Sequence, residues 1–204
     1  MSDVESFVRF CESEFGSAVV DREAAYVKEQ VTLDDRILDV GCGIGSLEER
    51  FAGYDIVGVD RSMEMVRTAR DRALAPVVRG DARKLPIATG AVDAVVFVAT
   101  LSFIQAVGAA LSEAVRVLDP GGTVVVLALN TRSEYVQSNL ARDGSYFRRM
   151  VHRDTEELAS RVLEYVDGTR EYLLGVDGET IVERTDPETA AITAIVGSPS
   201  RPPP

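Results

Sequence analysis

The chain has 204 residues, a hydrophobic fraction of 46% and a formal net charge of −11 at pH 7. That length suits one well-buried α/β domain rather than two ordinary ones, and the apolar content excludes wholesale disorder. A surface this acidic repels polyanions, which sets aside nucleic acid and anionic membranes as main partners.

Lys28 and Lys84 are the only lysines. An acidic, lysine-poor surface suits a salt-rich cytoplasm, where a Debye length of about 3 Å at 1 M salt screens self-repulsion; compositional drift in an arginine-favouring genome gives the same signature. The longest apolar stretch, 94–99 with its neighbours, is far short of the roughly 20 residues of a membrane span. The opening Met1-Ser2-Asp3-Val4-Glu5 is acidic where a secretory leader is basic, so the expected location is cytoplasmic. Cys11 and Cys42 offer neither a disulfide framework nor zinc-type spacing, and no metal is expected.

In chain order, Val4, Phe7, Val8, Cys11 and Phe15 predict a first helix, and Ala24, Val27, Lys28 and Val31 a second. Arg36–Val40 reads as a short strand that enters a glycine loop, with a helix from about Ser46. Tyr54–Val59 is the next strand, Ser62–Ala73 a helix, and Pro76–Arg79 a brief strand. Ala91–Ala99 is a continuous apolar run, the mark of a strand buried on both faces. Ile104, Val107, Leu111, Ala114, Val115 and Leu118 share a helical face that the turn Asp119-Pro120-Gly121-Gly122 ends; Thr123–Leu129 is a further strand. This alternation predicts an α/β fold with a parallel sheet covered by helices on both faces. Beyond it, 130–154 reads as long and irregular, Thr155–Val166 as helix, and Thr169–Val176 and Glu179–Thr185 as a hairpin about Asp177-Gly178. Ala190–Val196 is a last strand, and 198–204 a proline-rich tail expected to be disordered. The expected organisation is a single domain, 1–197, with N-terminal helices to 33, a ligand-binding core at 34–129, a lid at 130–154 and a C-terminal helix with strands at 155–197.

The chemistry concentrates at strand ends. Ile37-Leu38-Asp39-Val40-Gly41-Cys42-Gly43-Ile44-Gly45 runs a strand straight into a loop whose backbone N–H groups a ligand can approach without Cβ interference. Asp60 follows Gly41 by 19 residues, close to the roughly 20 expected of a carboxylate that accepts ribose hydroxyls. Asp81 follows the third strand. Asp39, Asp60 and Asp81 are thus expected to line the crevice beyond the carboxyl edge of the sheet. Cys42 reads as a small filler rather than a nucleophile, and Asp93 as a strand-flanking residue.

Those motifs resemble, in order, the class I S-adenosylmethionine-dependent methyltransferases of the broad type 11 family: Ile37–Gly45 its glycine motif, Gly58–Asp60 its ribose motif, Gly80–Pro86 its adenine-side motif, Ala91–Val96 its fourth strand and Arg116–Gly122 the turn into its fifth. The resemblance spans 34–129 and implies a Rossmann-like doubly wound sheet, mostly parallel, with an antiparallel C-terminal hairpin or strand. It implies S-adenosylmethionine as cofactor. Gly41, Cys42, Gly43 and Gly45 would pass the methionine part and Asp39 its ammonium; Asp60 and Arg61 would lie at the ribose, Asp81 and Ala82 at the adenine. Met65 (or Met63) would pack on the adenine face or simply in the core, with Val98 and Ala99 beside the sulfonium. It further implies methyl transfer to a small-molecule acceptor by in-line displacement, with a cofactor-binding regulatory or assembly subunit as the alternative.

The acceptor site is expected from Ser102, Phe103, Asn130, Tyr135, Tyr146 and Phe147, although the aromatics would serve equally to glue the segment to the sheet. His152, the sole histidine, is a candidate base for an acceptor proton or an exposed loop residue. Thr100-Leu101-Ser102-Phe103-Ile104 stands where many relatives carry histidines. Amide or adenine-amino, cytosine-C5 and protein-arginine methylation motifs are missing. Ser46 replaces the third glycine a dinucleotide fingerprint needs, which disfavours an NAD-dependent dehydrogenase.

Overall fold

The computed structural model describes residues 3–72 and 75–200; Ala73, the expected end of one helix, and the tail at 201–204 lie outside them. Eight strands form one sheet in the order β3-β2-β1-β4-β5-β8-β6-β7. They are β1 (Arg36–Val40), β2 (Asp55–Asp60), β3 (Val77–Arg79), β4 (Val92–Val98), β5 (Leu118–Leu129), β6 (Val166–Asp177), β7 (Thr180–Val182) and β8 (Ala190–Pro199). The first five pair in parallel, while β8 pairs antiparallel with both β5 and β6, and β7 antiparallel with β6. The expected α/β fold, mostly parallel with antiparallel C-terminal strands, is what the chain adopts.

Period-two alternation sorts the central strands into two layers. Leu38, Val95, Phe97, Val124 and Val126 pack with Val107, Leu111 and Ala114 of α4 (Val107–Val117) and Leu158 and Val162 of α6 (Thr155–Leu163). Their neighbours Ile37, Ala94, Val96, Val125 and Leu127 face the opposite way, against Val19, Ala24 and Val27 of α2 (Glu14–Gln30) and Val136 of α5 (Glu134–Ala141). α1 (Asp3–Glu12) packs on α2 and the glycine loop through Val4, Cys11, Val20 and Ile44, and α3 (Met63–Arg72) covers Cys42 and Val77. Asp93 flanks its strand as expected: it accepts from the Arg36 N–H and pairs with the Arg36 guanidinium at 2.8 Å, tying the starts of β1 and β4.

Several elements differ from expectation. The first helix stops at Glu12 and Phe15 belongs to α2, because the Ser13 hydroxyl accepts the Gly16 N–H at 3.0 Å and caps a new helix. No helix starts at Ser46; the chain makes a single 3-10 turn at Glu48–Arg50 before Gly53, at φ 91, ends it. α4 stops just before Asp119–Gly122, as expected, but that stretch is a bulge inside β5 rather than a free turn: Gly121 takes φ 102 and the β4 register shifts between Val92 and Ala94. The stretch 130–154 is not irregular throughout, since Ser133 caps α5 and Ser145 a 3-10 turn at Tyr146–Arg149. α6 ends at Leu163, and β6 starts at Val166. The expected disordered tail is ordered in its first part: β8 runs to Pro199, and the Ser200 N–H bonds Tyr165 O at 2.7 Å.

Asn130, wholly buried at the end of β5, donates to Pro187 O and Ala190 O and accepts from the Arg132 N–H. Asn130→Ala strands those backbone groups, at about 1–3 kcal/mol for each one left unsatisfied. Chemical denaturation is expected to show a loss of roughly 2–5 kcal/mol; an unchanged midpoint would contradict this role.

Candidate functional site

The strand order reverses between β1 and β4: from β1 the chain proceeds outward through β2 and β3, from β4 through β5 on the other side. The carboxyl ends of these two strands therefore leave a crevice that neither connection crosses, the usual ligand position in an open α/β sheet. The two exits meet closely. Gly41 takes φ 86, and a Cβ there would run into the Thr100 side chain. Thr100 Oγ1 donates to Val98 O at 3.0 Å, with Gly41 O 3.3 Å away. Gly43 and Gly45 also have positive φ, at 55 and 80, so the loop turns back on itself in a shape side chains resist.

Asp60, at the end of β2, fixes that loop: Oδ2 accepts the Gly43 N–H at 3.1 Å and Oδ1 the Ser62 N–H at 2.7 Å. Each oxygen keeps a further lone pair for a ligand hydroxyl. Asp81 is engaged by Arg83, whose side chain and backbone N–H hold its carboxyl down at about 2. Asp39 is 2% exposed, and its Oδ1 has no hydrogen-bond partner among the described residues. Burial pushes its carboxyl well above the usual range, and the nearby charges of Glu48 and Asp60 push it further. Glu48 is equally buried, and burial lifts it to about 7; it lies within hydrogen-bond reach of Asp39, so the two carboxyls can share a proton.

Two lobes of one cleft open here. The more polar lobe, about 390 Å³, is lined by Gly41, Gly43, Asp60, Arg61, Met65, Asp81, Ala82, Val98, Ala99 and Phe103. The apolar lobe, about 430 Å³, is lined by Asp39, Gly41, Cys42, Gly43, Val98, Ala99, Phe103, Tyr135, Tyr146 and Phe147. Phe7, Gly41, Gly43, Val98, Ala99, Phe103 and Tyr146 face both. Both volumes fall in the range of about 300–1,000 Å³ typical of ligand clefts. Ala99 adopts φ 53, a conformation side chains seldom take, at the junction.

Of the sequence candidates, Gly45 shapes the loop without facing either lobe, and Met63 is exposed while Met65 lines the cleft. Three acceptor-side candidates stand apart from the cleft. Ser102 is wholly buried under its own turn, Asn130 is spent on β8, and His152 lies with Nε2 2.9 Å from Ile104 O, a geometry in which the ring donates. The N–H groups of Val151 and His152 both reach Ser102 O, so this histidine fastens a strap to the turn after β4 rather than pointing at a reacting group. Cys42 is buried, which pushes its thiol far up and keeps it protonated, as a filler would be. The aromatics do both jobs anticipated for them: they line the cleft, and they hold one another, with ring centroids 4.9 Å apart for Phe103–Tyr146 and 6.0 Å for Tyr135–Phe147.

The sequence reading passed over Phe7, Phe10, Glu23 and Glu48. Glu23 was detectable, because Gly16, Val19, Val20, Ala24 and Val27 mark the buried stripe of α2 and Glu23 falls within it. Glu48 follows the glycine loop and gives no periodic sign of burial, since the turn it sits on is not a regular helix.

The raised carboxyls have a consequence for stability. A carboxyl whose folded value exceeds its unfolded one favours the native state at low pH, and that advantage is lost as pH rises from about 4.5 to about 7. The ion-paired Asp81, Asp93 and Glu156, all held near 2, act only as pH falls towards 2, outside that window. Thermal melts of Glu48→Gln between pH 4.5 and 7.5 should show a flatter decline of Tm than the wild type; parallel curves would contradict the burial of a titrating Glu48.

Known proteins share this arrangement. Residues 38–126 match the family model of a methyltransferase domain. A demethylmenaquinone methyltransferase of Beutenbergia cavernae is 39% identical over 100 residues, 48% of this chain and 42% of that one. Another, of Mycobacterium sp. strain KMS, is 32% identical over 134 residues, 65% of this chain and 57% of the relative. The matches thus span about half the length of those relatives. The fold is shared with a Thermotoga maritima protein, a S-adenosylmethionine-dependent methyltransferase and possible histamine N-methyltransferase, at TM-score 0.80 and 22% identity over 96% of this chain and 95% of the other. With its ordered motifs and sheet order, the segment 38–126 is similar to the domain of S-adenosylmethionine-dependent methyltransferases, and the cofactor that this likeness implies is S-adenosylmethionine.

Proposed function

We propose that this chain transfers the methyl group of S-adenosylmethionine to a small apolar acceptor held in the aromatic lobe of the cleft. The observation that carries the reading is the junction: a polar lobe with ribose- and adenine-type partners opens onto an apolar lobe through the same seven residues. The residues present fit the cofactor. Asp39 offers a buried oxygen without a partner, suited to an ammonium group, and Asp60 retains lone pairs for hydroxyls. Asp81 and Ala82 lie at the far end of the polar lobe, with Met65 beside them, for the adenine. Arg83 already occupies part of the Asp81 carboxylate, so the Ala82 backbone is the freer of the two partners.

The cofactor, when bound, supplies a methyl group already activated by a positive sulfur. What the chain contributes is position: Gly41 and Gly43 admit the backbone approach, Val98 and Ala99 wall the junction, and Phe103 and Tyr146 exclude water from it. His152 has no part in this, and no other histidine exists. The location is proposed to be cytoplasmic; no helix among the described residues is long and apolar enough to cross a membrane. One methyltransferase domain accounts for the described chain, its end moved from 197 to the end of β8 at Pro199.

Relatives named for demethylmenaquinone, malonyl-acyl carrier protein and sterol methylation match this chain alike, so the shared segment speaks for the cofactor and not for one acceptor. α1, α2 and the stretch from α5 to the 3-10 turn, which line the apolar lobe, lie outside 38–126.

A hydrogen bond to a charged group is worth roughly 1.5–3 kcal/mol, so Asp60→Ala is expected to weaken S-adenosylmethionine binding about ten- to two-hundredfold by calorimetry. Incubation of the wild type with cofactor and a metabolite extract should release S-adenosylhomocysteine. An unchanged dissociation constant would remove the cofactor assignment; tight binding without release from any extract would favour a regulatory subunit.

A further inference from the structure

One charged residue interrupts the buried stripe of α2. Glu23 is 7% exposed, lines the apolar lobe, and forms no hydrogen bond or ion pair with any described residue. Burial alone lifts its carboxyl to about 7. The elements packed around it supply no free compensating charge among the described residues. Asp39 on β1 is a second buried carboxyl, Cys11 on α1 is a thiol that burial keeps protonated, and Tyr135 on α5 is a phenol held neutral by burial. Arg142, just beyond α5, reaches the lobe, but its Nη2 is bound to Asn139 Oδ1 at 2.7 Å and Asp143 stands next to it.

An ionised carboxyl in an apolar cavity is costly, and above its raised titration point the cost is relieved by a ligand that brings a positive charge. A neutral apolar ligand would bury Glu23 further without pairing it, and an anion would be repelled by Glu23 and Asp39 together. Phe103 and Tyr135 add aromatic rings to the lining of the lobe, side chains of a kind that attract cations. Asp39 is taken up by the methionine end of the cofactor, which leaves Glu23 for the second ligand. We propose that Glu23 selects the acceptor, and that the acceptor is an apolar molecule bearing one basic amine whose ammonium pairs with this carboxylate. The inference rests on the methyltransferase reading above and narrows it to a substrate class.

The test uses the full chain saturated with S-adenosylhomocysteine and three probes of one shape: 2-phenylethylamine, 2-phenylethanol and 3-phenylpropionate, titrated by calorimetry at pH 8. The amine is expected to bind at least tenfold more tightly than the alcohol, with the acid weakest. Glu23→Gln should erase the difference between amine and alcohol while leaving S-adenosylhomocysteine affinity unchanged. In the wild type, amine affinity should fall about tenfold from pH 8 to pH 6 as the carboxyl near 7 takes up its proton, and alcohol affinity should not. That pH arm needs no variant. Equal binding of amine and alcohol to the loaded wild type, no binding of any probe, or an amine preference that survives in Glu23→Gln overturns the inference alone. Failure of the wild type to bind S-adenosylhomocysteine overturns the functional reading beneath it.

Discussion

The close contact between the ends of β1 and β4 is the constraint on which the rest of the molecule turns. Parallel strands running outward from this pair leave their carboxyl ends open, and the chain emerging from β1 must fold back without filling the gap. Gly41 does so at positive φ against the side chain of Thr100, and Asp60 holds Gly43 from the neighbouring strand. A side chain at 41 would drive these exits apart. The cleft, its two lobes and the seven residues common to both are consequences of that approach.

Around this junction the protein keeps polar groups in a state that packing alone would not select. Asp39, Glu48 and Glu23 are buried carboxyls raised by desolvation, with few or no partners. Elsewhere several acids of the same chain are ion-paired: Asp93 with Arg36, Glu113 with Arg116, Glu156 with Arg170. Charged groups buried without compensation are costly, and sites built to receive a ligand are where such costs concentrate. The contrast between paired acids at the periphery and unpaired acids at the cleft is the electrostatic outline of a binding site.

The segments beyond the core motifs do a different kind of work. α1, α2 and the stretch from α5 to the 3-10 turn meet over the apolar lobe through edge-on and tilted aromatic contacts, including Phe15 with Tyr135 at 5.6 Å. Their contacts are mostly apolar and adaptable, while the core motifs are held by backbone geometry. One part suits a fixed cofactor and the other a variable acceptor, which agrees with relatives that share the core yet are named for different acceptors.

Local chemistry made much of this legible in the residues themselves. Continuous apolar runs identify β4 and β5, a glycine loop after a five-residue strand identifies the crevice, and Asp60 and Asp81 at strand ends identify its polar wall. Such signals depend on neighbours in the chain. What the tertiary structure alone decided depends on residues far apart. Asn130 is consumed by β8, and Ser102 is wholly buried, its hydroxyl without a partner among the described residues. His152 is pinned by Ile104, 48 residues earlier. Glu23 stands unpaired beside an apolar hollow only because of how the fold packs α2. A charged side chain's partner, or its lack of one, is set by three-dimensional packing, and no sequence spacing encodes it.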